Sequence, residues 1–240
     1  MAYHERYIEK LKTFSAIDGR DVAVLGCSFG RECELFIKEG ANSVVGFDTD
    51  HKIGQNFKHD AVSYYQRSVS ACGFTDETFD IVFSAAVFEH VHDVLGAFKE
   101  AVRICRPNGT VMIISSPLWQ SPYGNHLVRQ LERLPWCHLL FTPNELSRAI
   151  QEEHPEIIDE PGAIEEITEK VFDPVYFNRY PPSVYCDSVD HLHGIEVVKN
   201  VIWPAQVDEK FKRKYFSKCV DNGFDSLSLM AGAHFFVGQK

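Results

Sequence analysis

The clearest chemical signal in the sequence is a pair of glycines, Gly26 and Gly30, followed further along the chain by Asp48. The glycines come directly after an apolar run over residues 21–25, and Asp48 comes after a second run over residues 43–47. A buried strand that leads into a glycine-containing turn at a helix start lets a ligand approach the backbone closely. A carboxylate at the tip of the next strand can accept hydrogen bonds from ribose hydroxyls. The three residues therefore indicate a site for a ribose-bearing ligand.

The glycine turn does not by itself identify that ligand. The pattern fits either a dinucleotide or S-adenosylmethionine, and a glycine turn with an acid downstream discriminates weakly between them. A plain strand-to-helix turn would also explain Gly26 and Gly30. Asp48 could instead be a helix N-cap, a position where aspartate is favoured, although ribose binding is the favoured interpretation. The surrounding elements have to decide between these interpretations.

Strands and helices alternate over residues 21–116. Apolar runs predict strands at residues 21–25, 43–47, 62–66, 79–84 and 110–115. Helical patterns cover residues 29–39, which Gly40 closes, and residues 94–105, which Pro107 to Gly109 interrupt; a further amphipathic helix is predicted over residues 3–15. This alternation predicts βαβ units with right-handed crossovers and a parallel sheet.

The pattern changes after residue 116. Residues 117–141 are rich in Pro, Trp, Tyr and His and predict a long irregular loop, whereas the capping box at residues 142–145 (TPNE) predicts a helix to about residue 153. The acidic segment 152–169 is interpreted as solvated surface, and the Tyr- and Pro-rich segment 172–193 has no clear period. The remaining elements predicted are strands at residues 195–203 and 231–237 and a helix at residues 208–220.

Three sequence blocks follow the glycine turn in order. They are residues 79–84 (FDIVFS), residues 89–91 (EHV) and residues 103–111 (RICRPNGTV). At this spacing they resemble the strand-four and strand-five blocks of the class I S-adenosylmethionine-dependent methyltransferases, usually written FD-x-V, EH-V and R-x-L-x-P-G-G. The resemblance covers about residues 20–116 and depends on the whole set rather than on one block.

The resemblance implies an α/β fold. It is a Rossmann-like three-layer sandwich with a seven-stranded, mostly parallel sheet and an antiparallel last strand. The strands at residues 195–203 and 231–237 fit the pair that closes such a sheet. We therefore predict a single domain with a cofactor-binding half (residues 1–116), a substrate cap inserted after strand five (residues 117–193) and closing strands (residues 194–240).

The resemblance also implies S-adenosylmethionine as the cofactor, with binding residues at the matching positions. The methionine part would be wrapped by Gly26, Cys27, Ser28 and Gly30. Asp48 would bind the ribose hydroxyls, with Thr49 beside the adenine and Ser68 and Val69 facing the adenine edge. Ser84 and Ala85 would lie near the sulfonium and the methyl acceptor.

The chain departs from the family pattern at three positions. Val24 stands where an acidic residue is common in the first motif, and Ser28 stands at the middle glycine. Ser68 replaces the acidic residue usual at the adenine position, and a hydroxyl is a weaker acceptor for the adenine amino group. These departures bear on cofactor affinity more than on the fold.

Histidines are the candidate catalytic residues, because methyl transfer needs an aligned nucleophile and, for some acceptors, a base. The loop after strand five commonly faces the acceptor in this fold, which favours His126 and His138. His90, in the EH-V block, either fixes a helix start or takes part in catalysis. A packing or surface role stays open for each of them. His191 and His193 form a weak metal pattern without further ligands, so no metal is predicted.

The composition limits the class of protein. The chain has 240 residues and a net charge of −10, without a Lys/Arg cluster that could follow a phosphate backbone, which argues against nucleic acid as a partner. No signal peptide or membrane-length apolar run is found. The seven cysteines are scattered and form no C-x-x-C pair. We therefore expect reduced thiols in a cytoplasmic protein that does not associate with membranes.

The function expected first is methyl transfer from S-adenosylmethionine to a small polar molecule. Oxygen is the favoured acceptor atom, and a sugar or another metabolite is the favoured acceptor. An NAD(P)-dependent oxidoreductase is an alternative, but the turn is Gly-x-x-x-Gly rather than Gly-x-Gly-x-x-Gly, and the sequence has no Tyr-x-x-x-Lys pair. A catalytically inactive, methyltransferase-like partner subunit is the second alternative. The sequence does not define the oligomeric state.

Overall fold

The alternation of strands and helices is present in the structure, a computed structural model that describes residues 3–157 and 161–240. The helices are α1 (Tyr3–Lys12), α2 (Arg31–Lys38), α3 (Val94–Ile104), α4 (Cys137–Leu140), α5 (Pro143–Glu153), α6 (Ala163–Phe172), α7 (Pro182–Asp190), α8 (Glu209–Asp221) and α9 (Ser226–Leu229). The strands are β1 (Asp21–Leu25), β2 (Ser43–Asp48), β3 (Val62–Gln66), β4 (Phe79–Ala85), β5 (Cys105–Ser115), β6 (Glu196–Pro204) and β7 (Ala231–Gln239). Short 3₁₀ turns lie at Phe88–His90 and Pro155–Ile157.

The seven strands form one sheet in the order β3-β2-β1-β4-β5-β7-β6, with β7 antiparallel. In β1, Leu25 pairs with Phe47 of β2 and with Ser84 of β4, and both pairings are parallel. The carboxyl ends of these strands therefore meet at one edge of the sheet, where ligands bind in open α/β folds. The predicted fold class, a mostly parallel seven-stranded Rossmann-like sheet, is confirmed.

The central strands form because they are apolar on both faces. Residues 22–25 of β1 and residues 81–83 of β4 are almost completely buried, as expected for parallel strands that helices cover on both sides. Burial of each large aliphatic side chain stabilises the fold by about 1.5–3 kcal/mol. The strand centres are thus rigid supports for the loops at their carboxyl ends.

The chain divides into two compact units. The first consists of residues 3–115, 185–201 and 235–240, and the second consists of residues 116–184 and 202–234. In the first unit, α1 packs against α2. The second unit has a hydrophobic core of its own, built around the buried Leu134, Trp136 and Leu146. The predicted cap over residues 117–193 stays an interpretation of the sequence.

Two segments differ from the sequence-based expectation. Helix α6 begins inside the acidic segment 152–169, which the sequence predicts to be solvated surface, and continues to Phe172; its Ile167 and Val171 are buried. The alternation of acidic residues with these two apolar ones is an amphipathic helix pattern that the charge count concealed. The Tyr- and Pro-rich segment contains α7 (Pro182–Asp190), which begins at a proline, as the first turn of a helix allows. Residues 158–160 of the acidic segment lie outside the described residues.

The described helices also bear on membrane association. None of those within residues 3–157 and 161–240 combines the length and the apolar character that a membrane crossing requires.

Candidate functional site

The glycine turn connects β1 to α2. Gly26 and Gly30 have positive φ values of 77° and 98°. A Cβ atom at Gly26 would lie 2.1 Å from Cγ2 of Val87, and one at Gly30 would lie 2.5 Å from the hydroxyl of Tyr64. Both the backbone conformation and the available space therefore require glycine at these positions.

Asp48 holds this turn in place. Its Oδ2 accepts a hydrogen bond of 2.8 Å from the amide of Ser28, and its Oδ1 accepts one of 3.0 Å from the amide of Asp50. Ser28 has a φ of 43°, a left-handed conformation that costs a non-glycine residue about 1–2 kcal/mol. An ionised carboxylate offers about four acceptor positions. Asp48 can therefore anchor the turn and still accept hydrogen bonds from a ligand.

A cavity of about 340 Å³ lies beside Asp48. We call it the Asp48 cavity; it is lined by Gly26, Asp48, Thr49, Ser68, Val69, Ser70, Val87, His90, Val91, His92 and Asp93. Its volume lies within the usual range of small-ligand pockets. It combines a carboxylate, several hydroxyls and the buried side chain of Val69, a mixture that suits a sugar joined to a flat heterocycle.

A second cavity of about 370 Å³ lies on the other side of the turn. We call it the Glu32 cavity; it is lined by Tyr3, His4, Gly26, Cys27, Ser28, Phe29, Arg31, Glu32, Glu34, Asn56, Phe57, Ala85 and Ala86. Gly26 lines both cavities. The turn therefore borders two ligand-sized spaces at the carboxyl edge of the sheet, and Gly26 is the turn residue that they share.

The structure brings together most of the residues predicted to bind the cofactor. Gly26, Cys27, Ser28 and Ala85 line the Glu32 cavity, and Asp48, Thr49, Ser68 and Val69 line the Asp48 cavity. The other two predicted residues are Gly30 and Ser84, and neither is in the lining of these two cavities. Gly30 precedes α2, and the fully buried hydroxyl of Ser84 donates to the carbonyl of Leu25 at 2.8 Å. Both support the walls rather than form them.

Four titratable groups of the Glu32 cavity have displaced pKa values. The hydrogen bond with Glu32 raises the pKa of His4, and hydrogen bonds from Lys38 and Arg31 lower the pKa of Glu34. A hydrogen bond with Cys33, together with burial, raises the pKa of the Cys27 thiol. Burial, with a smaller contribution from Tyr7, raises the pKa of Tyr3. Both side chains are therefore neutral at physiological pH, so the charges in this cavity come from its carboxylates, Arg31 and His4.

The three candidate catalytic histidines have different environments. His90 lies in the 3₁₀ turn after β4 and lines the Asp48 cavity of the first unit. His126 belongs to the second unit, has a φ of 63° and lies 4.9 Å from the ring of Phe177. Of the three, His90 is thus the one found beside Asp48 in a cavity wall.

His138, also in the second unit, is buried among its own neighbours. Its Nε2 lies 2.6 Å from the carbonyl of Trp119, so Nε2 carries the proton and donates it to that oxygen. Its Nδ1 lies 3.5 Å from the side-chain nitrogen of Asn125. Burial lowers the pKa of His138 to about 4. These contacts occupy both ring nitrogens and favour a structural role over the catalytic role suggested by the sequence.

Sequence reasoning missed several lining residues. Ser70 and residues 91–93 lie next to predicted positions in the chain, so their proximity could have been inferred. Glu32 lies in the first turn of α2, just after the glycine turn, and that position is also readable from the sequence. Tyr3 and His4 gave no such signal, because only the packing of α1 against α2 brings them to the cavity.

The comparison with protein families agrees with this geometry. Residues 23–113, which include the glycine turn and Asp48, match the family described as a methyltransferase domain. This segment of the chain has the features of the class I S-adenosylmethionine-dependent methyltransferase superfamily. Members of this superfamily use S-adenosylmethionine as the cosubstrate.

Relatives and solved structures support this assignment. A ubiquinone biosynthesis O-methyltransferase of Rhizobium johnstonii is 35% identical over 115 residues, 45% of this chain and 46% of that protein. One from Rhodopseudomonas palustris is 27% identical over 61% of this chain and 62% of that protein. The chain thus spans less than two thirds of the length of these curated relatives. An S-adenosylmethionine-dependent methyltransferase structure from Mesorhizobium loti has the same fold, with a TM-score of 0.59 at 12% identity over 98% of this chain and 97% of that one.

Proposed function

We propose that this protein transfers a methyl group from S-adenosylmethionine to a hydroxyl of a small polar molecule, such as a sugar or another metabolite. The observation that carries the proposal is the placement of Asp48 and the glycine turn in the walls of adjoining cavities at the carboxyl edge of the sheet. Oxygen is favoured as the acceptor atom because the relatives from Rhizobium and Rhodopseudomonas are named O-methyltransferases.

The residues present fit this cosubstrate. In the Asp48 cavity, Asp48 would accept hydrogen bonds from the ribose hydroxyls, while Val69 would offer apolar contact to the adenine. The hydroxyls of Ser68 and Ser70, which lie 2.9 Å apart, would face the polar edge of the adenine. In the Glu32 cavity, the turn from Gly26 to Ser28 would hold the methionine part. The fit rests on a carboxylate with spare acceptor positions and on a backbone that no Cβ atom obstructs.

The cosubstrate supplies an electrophilic methyl group on a sulfonium, and the remaining task of the protein is to align the acceptor and receive its proton. We retain His90 as the candidate base because it lines the Asp48 cavity and because its Nε2 lies 4.0 Å from a carboxylate oxygen of Glu89. A neighbouring carboxylate stabilises the imidazolium that forms when histidine takes up a proton. The proposed roles of His126 and His138 in catalysis stay predictions from the sequence.

Calorimetry with S-adenosylhomocysteine tests the cosubstrate assignment. Replacing Asp48 with alanine removes charge-assisted hydrogen bonds of about 1.5–3 kcal/mol in total, so the affinity is expected to fall about 10- to 100-fold. Asp50→Ala is the matched control, because Asp50 contributes its backbone amide to the same carboxylate and does not line the Asp48 cavity. Its affinity is expected to stay close to that of the natural chain.

Other outcomes would favour the alternatives. Binding of NADH but not of S-adenosylhomocysteine would support an oxidoreductase. Binding of neither, together with a chain that co-purifies, would support an inactive partner subunit. Once binding is established, incubation with S-adenosylmethionine and a panel of hydroxylated metabolites, followed by mass detection of a methylated product, identifies the acceptor.

A further inference from the structure

The Glu32 cavity contains a charged feature that the proposed function has not used. Its lining includes the turn from Gly26 to Ser28 and also Tyr3 and His4 of α1. Helix α1 packs against α2 and buries Ile8 and Leu11. Its Lys12 forms an ion pair with Glu39, the C-cap of α2, with the charged atoms 2.8 Å apart. Packing against α2 therefore fixes the position of the first turn of α1 in the cavity lining.

Two carboxylates line this cavity, and their surroundings differ. Glu34 is half-buried and accepts hydrogen bonds from Arg31 at 2.5 Å and from Lys38 at 2.7 Å, so both of its oxygens are engaged by cations. Arg31 also donates to Glu5 at 3.3 Å. The charges of Glu34 and Arg31 are therefore neutralised by each other and by their neighbours. Glu32 is the carboxylate of this cavity that can still accept a hydrogen bond from a ligand.

Glu32 is buried and only partly engaged. Its side chain is 9% exposed, and its Oε1 accepts a hydrogen bond of 2.5 Å from Nδ1 of His4. Its Oε2 has no hydrogen-bond partner among the residues that the structure describes. Because Glu32 lines the cavity, this oxygen is available to accept a hydrogen bond from a ligand. The cavity therefore favours a ligand group that donates hydrogen bonds and carries positive charge.

The neighbouring side chains indicate which kind of ligand group Glu32 can bind. A carboxylate repels anions, and both cations of the lining are already paired: Arg31 with Glu34 and Glu5, and His4 with Glu32 itself. Among the described residues, no third metal-ligating side chain joins His4 and Glu32. An ammonium group is compact and donates three hydrogen bonds. It can thus donate a hydrogen bond to Oε2 of Glu32 and balance the charge of this carboxylate.

We propose that Glu32, held in place by His4, binds the ammonium group of the methionine part of the cosubstrate. This inference rests on the proposed function. In β1 of this chain, the buried and apolar Val24 stands at the position where the family often has an acid. The carboxylate of Glu32, from the first turn of α2, would take the place of that acid beside the methionine part. Glu32 is the binding residue and His4 is a positioning residue.

The test compares two ligands that differ in the amino acid part. S-adenosylhomocysteine carries the ammonium group, whereas 5′-methylthioadenosine retains the nucleoside and lacks the amino acid. For Glu32→Gln, calorimetry is expected to show an affinity for S-adenosylhomocysteine about 10- to 100-fold lower, the size of a lost charge-assisted hydrogen bond. Its affinity for 5′-methylthioadenosine is expected to change by less than about twofold. Glu9→Gln, an exposed change on α1 outside the cavity lining, is the control and should bind both ligands as the natural chain does.

The positioning role of His4 has its own readout. His4→Ala should weaken the binding of S-adenosylhomocysteine several-fold without affecting 5′-methylthioadenosine. His4→Asn places an amide donor near the position of Nδ1 and should restore most of the lost affinity. A purely structural histidine would affect both ligands and would not be rescued in this way.

The possible failures can be told apart. An unchanged affinity of Glu32→Gln for S-adenosylhomocysteine, or an equal loss for both ligands, overturns the inference about Glu32 and leaves the proposed function standing. A natural chain that binds neither ligand overturns the proposed function itself.

Discussion

At the scale of single residues, Asp48 and Ser28 show how this chain keeps its turn in spite of an unusual residue. Ser28 occupies a left-handed conformation where the family pattern has glycine, and its amide is held at 2.8 Å by the carboxylate of Asp48. The hydrogen bond opposes part of the conformational cost of Ser28. One carboxylate thus connects the conformation of the turn with the binding of a ribose, so loss of Asp48 acts on both.

His138 leads to a prediction about pH. Burial lowers the pKa of His138 to about 4 from its usual 6.5, so between these values the unfolded chain binds a proton that the folded chain does not. The free energy of unfolding is therefore unaffected by protonation of His138 above pH 6.5 and decreases as the pH falls towards 4, by about 3 kcal/mol at most. His138→Gln, which cannot titrate, should be about 1 kcal/mol less stable than the natural chain at pH 7 because its hydrogen bond to Trp119 is weaker, and should lose less stability on acidification.

Urea unfolding of both proteins at pH 7 and pH 4.5 checks this prediction. Burial also lowers the pKa of His234 to about 4, but His234 is present in both proteins and cancels in the comparison. If the natural chain and His138→Gln lost equal stability on acidification, the folded chain would protonate His138 and a structural role would be wrong.

The residues of the site could be predicted from the sequence only where a local pattern identifies them. Asp48 and the glycine turn were predictable because strand ends and tight turns leave a signal in residue type and spacing. The pairing of His4 with Glu32 was not, because it depends on how α1 packs on α2 and on nothing within either segment. The environment of His138 was equally unreadable, since burial decides its pKa.

At the scale of elements, α5 begins with the capping box that the sequence predicted. The backbone amide of Thr142 donates to the carboxylate of Glu145 at 2.8 Å, and the side chain of Thr142 accepts from the backbone of Glu145 in return. Thr142→Ala removes half of this exchange and should lower the free energy of unfolding by about 1 kcal/mol. Asn144→Ala, an exposed change in the same turn, should stay within about 0.5 kcal/mol of the natural chain. Urea denaturation midpoints measure both, and equal effects would refute the capping role.

The contrast between α5 and α6 explains which elements were predictable. Helix α5 has a capping box at its start, whereas α6 starts at Gly162, whose left-handed φ of 82° and lack of a side-chain cap give no such signal. The acidic residues of α6 lie on its exposed face, while Ile167 and Val171 face the core of the second unit. Composition alone therefore suggested solvated surface, and only the spacing of the few apolar residues indicated a helix.

At the scale of the whole molecule, ligand binding should be visible as stability. Both cavities are assembled in the first unit from segments far apart in sequence: α1, the glycine turn, the end of β2 and the residues after β4. A ligand that contacts all of them binds the folded chain and not the unfolded one. Its binding free energy is therefore added to the free energy of unfolding.

Thermal unfolding with S-adenosylhomocysteine tests this coupling. At a ligand concentration 100 times the dissociation constant, the stabilisation is about 2.7 kcal/mol, which for a chain of this size raises the midpoint by about 5–10 °C. Asp48→Ala at the same ligand concentration should show a much smaller rise because its dissociation constant is larger.

Thr142→Ala is the control. It should melt at a lower temperature without ligand but keep the full rise, because Thr142 lines neither cavity. A rise as large in Asp48→Ala as in the natural chain would place the ligand away from Asp48, and no rise in any of the three proteins would contradict binding of this cosubstrate.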